Sequence, residues 1–224
     1  MRNGAPLLHI PDGFLDVYWI TITYLATIGY FTIIGKRSRS IFRPEKISTI
    51  TTIAAIVFVA QMFNWPIPGG TSLHFLGSAL AGIILGPALG SIALALVLVV
   101  QALVFHDGGI TTLGANILNM AIIGVLTGYA TFRFFMRLLK NTDRKKRIFI
   151  SSFMAGWISL FIAGIACGVE IGLSPRFPYG VLITIPVMGI WHLVLGVVEG
   201  IITGLIVLYV YERNPHLVMG LEGI

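Results

Sequence analysis

Long apolar runs with few or no charged residues limit most strongly what this chain can form. One of them, residues 73–105, has no charged side chain over its whole length. Five further runs have a similar character; they cover residues 17–35, 47–64, 116–136, 148–172 and 186–211. About 20 apolar residues in a helix cross the hydrocarbon core of a bilayer. Only 11% of this chain is charged, against about a quarter in soluble domains, so the sequence predicts an all-α integral membrane protein.

The longest run must be divided, because it exceeds the length of one crossing. Gly86-Pro87 and Gly90 mark the break, since proline removes a helical hydrogen bond and glycine weakens a helix. The division gives a short crossing near residues 73–86 and a full one near 88–105. At 1.5 Å per residue the short crossing covers roughly 21 Å, less than the roughly 30 Å of hydrocarbon. We therefore expect neighbours or the preceding loop to complete it, in a bundle of seven transmembrane helices.

The positive charges form two blocks, residues 36–46 and 133–147. Lysine and arginine are enriched in cytoplasmic loops, and four crossings between the blocks place both on one side. The N-terminus is then on the outer side of the cell membrane and the C-terminus is on the cytoplasmic side. Of the 15 lysines and arginines, all but Arg2 and Arg176 lie inside. The net charge of +6 is therefore attributed to the cytoplasmic loops of a multi-pass protein and not to nucleic-acid binding.

This topology divides one transmembrane domain, residues 1–224, into three parts. Residues 1–16 form an N-terminal segment outside the bilayer, residues 17–211 form the helical bundle, and residues 212–224 form a cytoplasmic tail. Within the bundle, Gly196, Gly200 and Gly204 are spaced by four, as are the glycines at 82, 86 and 90. Both spacings predict close helix packing.

Polar side chains gather at the outer face once the topology is fixed. They are His9, His74, His106, Asp107, Asn116, Glu170 and, roughly 9 Å deeper, His192. A single histidine at a helix end is most often a cap or reaches out to the interface. His192 differs, because a polar group at depth usually faces the bundle interior and serves function. Glu199, two turns further along, is either a structural carboxylate or a functional one.

The segment that starts at His9 is short, polar and stiff. Pro11 fixes its backbone φ near −65°, and Gly13 permits a tight turn. A segment built this way holds its shape and directs the imidazole of His9. We expect that imidazole to point into the bundle, towards other histidines, and to hold a metal ion.

Several stretches together resemble one known family, the cobalt/nickel substrate-capture (S) subunits of energy-coupling-factor transporters, the CbiM/NikM group. The stretches that carry the resemblance are HIPDGFL (9–15), GTSLH (70–74), QAL (101–103), HDGGITTLGAN (106–116), EIGLS (170–174), and His192 and Glu199 followed by GIITG (200–204). They are spread over most of the chain. The first and third stretches are the most specific.

The resemblance implies seven transmembrane helices and an N-terminal segment inserted into an outward-facing pocket. It also implies that a terminal amine, the amide and imidazole of the next residue, and a histidine of the third helix bind Ni²⁺ or Co²⁺. In this sequence those imidazoles belong to His9 and His74. Nitrogen ligation of this kind suits such ions. Further residues are expected to orient the ligands or line the pocket; they are His106, Asp107, Asn116, Asp12, Glu170 and His192.

The resemblance further implies a capture subunit without catalytic activity or organic cofactor. Its expected partners are a transmembrane coupling (T) subunit, two ATP-binding-cassette ATPases and a small accessory membrane subunit. The chain departs from the family pattern at one place, because Leu8 precedes His9 and seven more residues precede Leu8. We expect the working N-terminus, and its amine ligand, at Leu8 through processing or a non-AUG start. With an intact extension, Asp12 or His106 would take the fourth position.

Two other functions fit the same polar residues less well. An intramembrane metalloenzyme would use histidines to hold catalytic zinc, but the chain has no HExxH pair. An S subunit or permease for a small organic anion would use the histidines to bind its substrate. The outer side carries four acidic residues against two positive ones, which disfavours an anion. Cobalt and nickel suit the ligand set equally.

Overall fold

The computed structural model describes residues 9–37, 44–70 and 72–223, and it is predominantly helical. Its main helices are α1 (Val17–Arg37), α2 (Pro44–Gln61), α3 (Ser78–Val104), α4 (Leu113–Asn116), a π-helix (Ile117–Gly124), α5 (Val125–Leu138), α6 (Arg144–Leu173) and α7 (Val181–Arg213). Two 3₁₀ turns, Pro215–Leu217 and Met219–Leu221, follow α7. Leu8, the expected amine ligand, lies outside the described residues.

Five helical segments in the described part of the chain are long and apolar enough to cross a membrane. They are Val17–Lys36, Ser78–Val104, Leu113–Leu138, Arg144–Leu173 and Val181–Arg213, the third of which joins α4, the π-helix and α5. A shorter apolar helix, Ile47–Gln61, belongs to α2. The chain is therefore a multi-pass membrane protein.

The structure contains a two-stranded antiparallel ribbon, which the expected all-α fold did not include. Strand β1 (Asn64–Pro66) pairs with β2 (Ser72–His74), with Asn64 opposite His74. The third crossing was expected to begin near residue 73, whereas α3 begins at Ser78. His74 therefore lies in a buried strand and not on a helix, because the prolines and glycines of the hairpin exclude helix and strand pairing satisfies the backbone groups there.

The break predicted at Gly86-Pro87 is confirmed. Gly86 has φ 76° and ψ 165°, which is not a helical conformation. A Cβ on Gly90 would meet the backbone carbonyl of Ala81 at 2.9 Å. In a straight helix those two residues lie about 13 Å apart along the axis. The chain therefore folds back at Gly86 into a short arm (78–85) and a long arm (87–104).

Close packing of α6 against α7 follows from the glycines of α7. A Cβ on Gly200 would meet the backbone oxygen of Phe153 at 2.7 Å, and one on Gly196 would meet the Trp157 ring at 2.5 Å. The expected role of this glycine run in helix approach is thus confirmed. The run at 82, 86 and 90 is different, because Gly86 forms the turn between the two arms of α3.

The Gly86 turn and the metal-site candidates lie at opposite ends of the long arm of α3. Met219, in the second 3₁₀ turn, packs beside Gly86, and Arg133 donates to the Gly220 carbonyl at 3.4 Å. At the other end of the long arm, the Gln101 side chain reaches the ring of His9. The long arm of α3 therefore connects the tail end of the bundle to the end that carries the N-terminal segment.

Candidate metal centre

The described part of the N-terminal segment, residues 9–16, is bonded to the bundle through the backbone of Ile10. The Ile10 N–H donates to Asn116 Oδ1 at 3.0 Å. Its carbonyl accepts from the Gly109 N–H at 3.0 Å, from Asn116 Nδ2 at 3.2 Å and from the Thr112 hydroxyl. Both amide atoms of Asn116 are thus used to hold the residue next to His9. Asn116 positions the segment.

Asp12 and Leu15 fasten the same segment at two further points. Asp12 Oδ1 accepts from the Thr111 N–H at 2.8 Å and from the Thr111 hydroxyl. Leu15 is fully buried in an apolar cluster that includes Ile171 of α6. The Asp12 side chain is exposed to solvent. Its two bonds to Thr111 hold the segment in place.

The loop between α3 and α4 needs glycine where it meets this segment. Gly108 has φ 85°, and a Cβ there would lie 2.9 Å from the His9 Cβ. A Cβ on Gly109 would collide with the backbone nitrogen of Asp12. His106 is exposed and has φ 54°. Asp107 is half-buried, and its N–H donates to the Gln101 carbonyl at 2.9 Å.

The imidazoles of His9 and His74 meet beneath the segment. Their ring centres are 5.0 Å apart and their planes are inclined at 62°. The residues are only 4% and 7% exposed. A metal–imidazole bond is about 2.1 Å long, so two rings that share one ion have centres about 4.5 to 6.5 Å apart. The observed separation falls inside that range.

Hydrogen bonds indicate which nitrogen of each neutral ring carries the proton. His74 Nδ1 lies 2.9 Å from the Phe75 carbonyl, which can only accept, so the lone pair of a neutral ring is on Nε2. His9 Nε2 lies 3.0 Å from Gln101 Oε1, to which it donates. His9 Nδ1 is buried and has no hydrogen-bond partner among the described residues. Metal-binding histidines characteristically donate their other ring N–H in this way.

A small cavity lies below the two rings. Its volume is about 40 Å³, which admits about three or four water-sized spheres. The lining residues come from the N-terminal segment, the ribbon, the turn before α3 and four helical elements; they are His9, Ile10, Ser72, His74, Leu76, Asn116, Asn119, Met120, Ala163, Gly164, Cys167, Met188 and His192. Pockets for organic ligands are several times larger. The cavity suits an ion with a few waters.

His192 and Glu170 occupy different positions relative to this cavity. His192 lines it, and its Nδ1 donates to the Met188 carbonyl at 2.6 Å, which leaves the lone pair on Nε2. Glu170 is buried behind the cavity and accepts from Asn119 Nδ2 at 2.7 Å. Asn119, which belongs to the π-helix, is the side chain that reaches the cavity wall.

The structure thus gathers some of the expected site residues and separates others. His9, His74, Asn116 and His192 line one cavity, whereas His106 is exposed and Glu170 is bonded to Asn119, which lines the cavity in its place. Over residues 9–37, 44–70 and 72–223, no group of three or more His, Cys, Asp or Glu side chains is placed to hold a metal.

Gln101 belongs to the QAL stretch of the family resemblance, but no role in the site was predicted for it. It lies near the end of the long arm of α3, is fully buried, and bonds the ring of His9. Its signal was a polar amide in an uncharged apolar run, which is costly in a membrane unless it has a partner or a function.

Comparisons with known proteins identify relatives named as metal transport proteins. Residues 9–217 match the model of the family CbiM, described as a cobalt uptake substrate-specific transmembrane region. A protein of Archaeoglobus fulgidus, provisionally named a fused nickel transport protein NikMN, is 46% identical over 216 residues, which cover 94% of this chain and 68% of the relative. A provisionally named metal transport protein of Haloquadratum walsbyi is 39% identical over 211 residues, covering 94% and 93% of the two chains. The crystal structure of a truncated transition metal transporter superposes with a TM-score of 0.85 at 36% identity, covering 92% of this chain and 99% of that one.

Proposed function

Because this chain belongs to the CbiM family of cobalt uptake substrate-specific transmembrane regions, we propose that it is the substrate-capture subunit of an energy-coupling-factor importer for Ni²⁺ or Co²⁺. It binds the ion at the outer face of the membrane with nitrogen ligands. The ion is the transported substrate. The chain itself carries out no catalysis.

The observation that carries this proposal is the pair of imidazoles 5.0 Å apart, His9 on the N-terminal segment and His74 in β2. In a four-coordinate shell, two imidazoles leave room for two more donors. The backbone amide nitrogen of His9 is suited to be the third, because Nδ1 is the ring nitrogen nearer to the backbone and can chelate together with it. Square-planar nitrogen ligation of this kind suits Ni(II) and Cu(II), and imidazole suits several first-row ions.

The fourth donor is the amine of Leu8, freed by processing or by initiation at that codon. Mass spectrometry of natively expressed, metal-loaded protein tests this ligand. We expect a chain that begins at position 8, with leucine there after processing or methionine there after initiation at that codon. Metal-loaded protein that retains residues 1–7 would exclude the amine and leave the fourth position to Asp12 or His106.

We infer that the chain crosses the membrane seven times, with its N-terminus outside. The fold-back at Gly86 supports this count, because the short arm of α3 and the buried strand β2 together form one crossing and the long arm forms the next. The chain then works with a transmembrane coupling subunit, two ATP-binding-cassette ATPases and a small accessory membrane subunit. Uptake of nickel by vesicles that contain all subunits should require ATP.

Calorimetric titration of the purified protein with Ni²⁺ and Co²⁺ tests the capture site. His9→Ala and His74→Ala should each abolish high-affinity binding, because each removes one of two imidazoles that share the ion. His216→Ala is the matched control, since His216 is an exposed histidine in the tail and its loss should leave affinity unchanged. Equal affinity in all four proteins would overturn the proposed site.

A further inference from the structure

Glu199 of α7 is a buried carboxylate outside the pair of proposed metal ligands. It is 1% exposed. Its Oε2 accepts from the Leu76 N–H at 2.7 Å, and its Oε1 accepts from the Gly77 N–H at 2.9 Å. Both carboxylate oxygens are thus committed to two consecutive backbone groups, 123 and 122 residues away in sequence.

Those backbone groups lie at the turn between β2 and the short arm of α3. Gly77 has φ 73°, and a Cβ there would lie 2.7 Å from a methyl group of Val57. Its carbonyl accepts the first helical hydrogen bond, from the Ala81 N–H at 3.0 Å. The N–H groups at a helix start have no partner within the helix. Glu199 supplies the acceptors in an apolar interior, where an unmade hydrogen bond is expensive.

The same turn carries one of the two proposed metal-binding rings. His74 lies two residues before Leu76, and its Nδ1 donates to the carbonyl of Phe75, the residue between them. Gln61 of α2 holds the other side of the turn by donating from Nε2 to the Leu76 carbonyl at 2.8 Å. The ring of His74 is therefore oriented by a backbone segment whose own position is set from α7 and α2.

We propose that Glu199 is a positioning residue of the metal centre, which holds the Leu76–Gly77 turn so that the ring of His74 faces His9. This inference rests on the proposed function, because it concerns the geometry of the proposed site. Helix α7 then acts on the cavity in two ways. It lines the cavity directly with His192, and it fixes His74 through Glu199.

Nickel binding by Glu199→Gln tests this role. Glutamine keeps the size of the side chain, but its amide NH₂ cannot accept, so one of the two backbone N–H groups loses its partner. We expect Ni²⁺ affinity to fall about tenfold or more, as for other residues that orient metal ligands. We also expect the ligand-field absorption bands of bound Ni²⁺ to shift, since His74 would meet the ion at a different angle.

The matched control is Ser159→Ala in α6. Ser159 is buried and donates to the Gly124 carbonyl at 2.8 Å, so its loss also removes one interior hydrogen bond. The control should lower the melting temperature of the metal-free protein but leave the nickel affinity and absorption bands unchanged. Glu199→Asp serves where the glutamine variant does not fold, because the shorter carboxylate cannot reach both N–H groups, and it should weaken nickel binding in the same direction.

Wild-type affinity together with unshifted bands in the folded Glu199 variants would overturn this inference. If His74→Ala loses nickel binding in that experiment, the proposed function stands and only the role of Glu199 fails. If the wild-type protein itself does not bind nickel or cobalt, both fail.

Discussion

The chemistry of the proposed site depends on which nitrogen of each imidazole carries its proton. The Phe75 carbonyl fixes the proton of His74 on Nδ1, and Gln101 holds Nε2 of His9. In the neutral rings the lone pairs are therefore on Nδ1 of His9 and Nε2 of His74, the two nitrogens that we propose bind the ion. Because neutral imidazole is the metal ligand, protons compete with the metal and affinity should fall in acid.

Replacing Gln101 tests this selection of nitrogens. Gln101→Met keeps a similar volume but removes the acceptor for His9, so the ring can rotate. Nickel affinity should fall about tenfold, as measured by calorimetry. Ser91→Ala is the control on the same helix, where a buried serine bonds the Tyr30 hydroxyl at 3.0 Å. Equal affinities in the Gln101 variant and the wild type would show that the ring of His9 needs no such support.

Among the structural elements, the N-terminal segment and the loop after α3 form one unit. Ile10 and Asp12 on the segment are bonded by residues 109–116 of the loop and α4. The close approach at Gly108 and Gly109 makes this contact possible. The loop therefore determines whether His9 reaches the cavity.

Gly109→Ala should displace the segment, because the added methyl group collides with Asp12. We expect loss of high-affinity nickel binding and faster proteolytic cleavage near residues 9–16. Gly180→Ala is the control, since a Cβ at Gly180 meets no atom within 4 Å. Nickel binding by Gly109→Ala that matches the control would contradict this account of the loop.

The turn at Gly86 is the second element whose backbone demands glycine. A φ of 76° with ψ of 165° is a combination that essentially only glycine adopts. Gly86→Ala should therefore destabilise the fold by about 1–3 kcal/mol, measured as a lower midpoint of thermal unfolding in detergent. Gly29→Ala in α1, where a Cβ meets nothing within 4 Å, should not lower it. An unchanged midpoint for Gly86→Ala would argue against the fold-back.

Sequence patterns predicted the elements whose signal is local. Gly86-Pro87 marked the break in the long run because both residues oppose helix in any context. The ribbon β1–β2 could not be predicted, since its two strands have three residues each and are defined by pairing with one another. The π-helix Ile117–Gly124, which carries Asn119 to the cavity, has no amino-acid pattern that distinguishes it from an α-helix.

The candidate site was predictable only in part for a similar reason. His9 and His74 could be related through topology and resemblance, because both were expected at one face. The role of Gln101 depends on a hydrogen bond across 92 residues of sequence. That of Glu199 depends on contacts with backbone N–H groups, which no side-chain pattern records.

In the whole molecule, the basic loops and the proposed metal site lie at opposite ends of the helical bundle. Lys140 lies between α5 and α6, on the basic side, and Tyr179 lies between α6 and α7. Both are exposed. In a Cys167→Ala background, a membrane-impermeant thiol reagent should label Tyr179→Cys in intact cells and label Lys140→Cys only after permeabilisation. The reverse pattern would invert the proposed orientation and place the metal site at the cytoplasmic face.

A crystal structure of the nickel-loaded native protein would show whether His9 and His74 share one ion. The anomalous signal of nickel locates the ion independently of the protein atoms. We predict a single peak about 2.1 Å from His9 Nδ1 and from His74 Nε2. A peak bonded to only one of these rings, or lying elsewhere in the bundle, would contradict it.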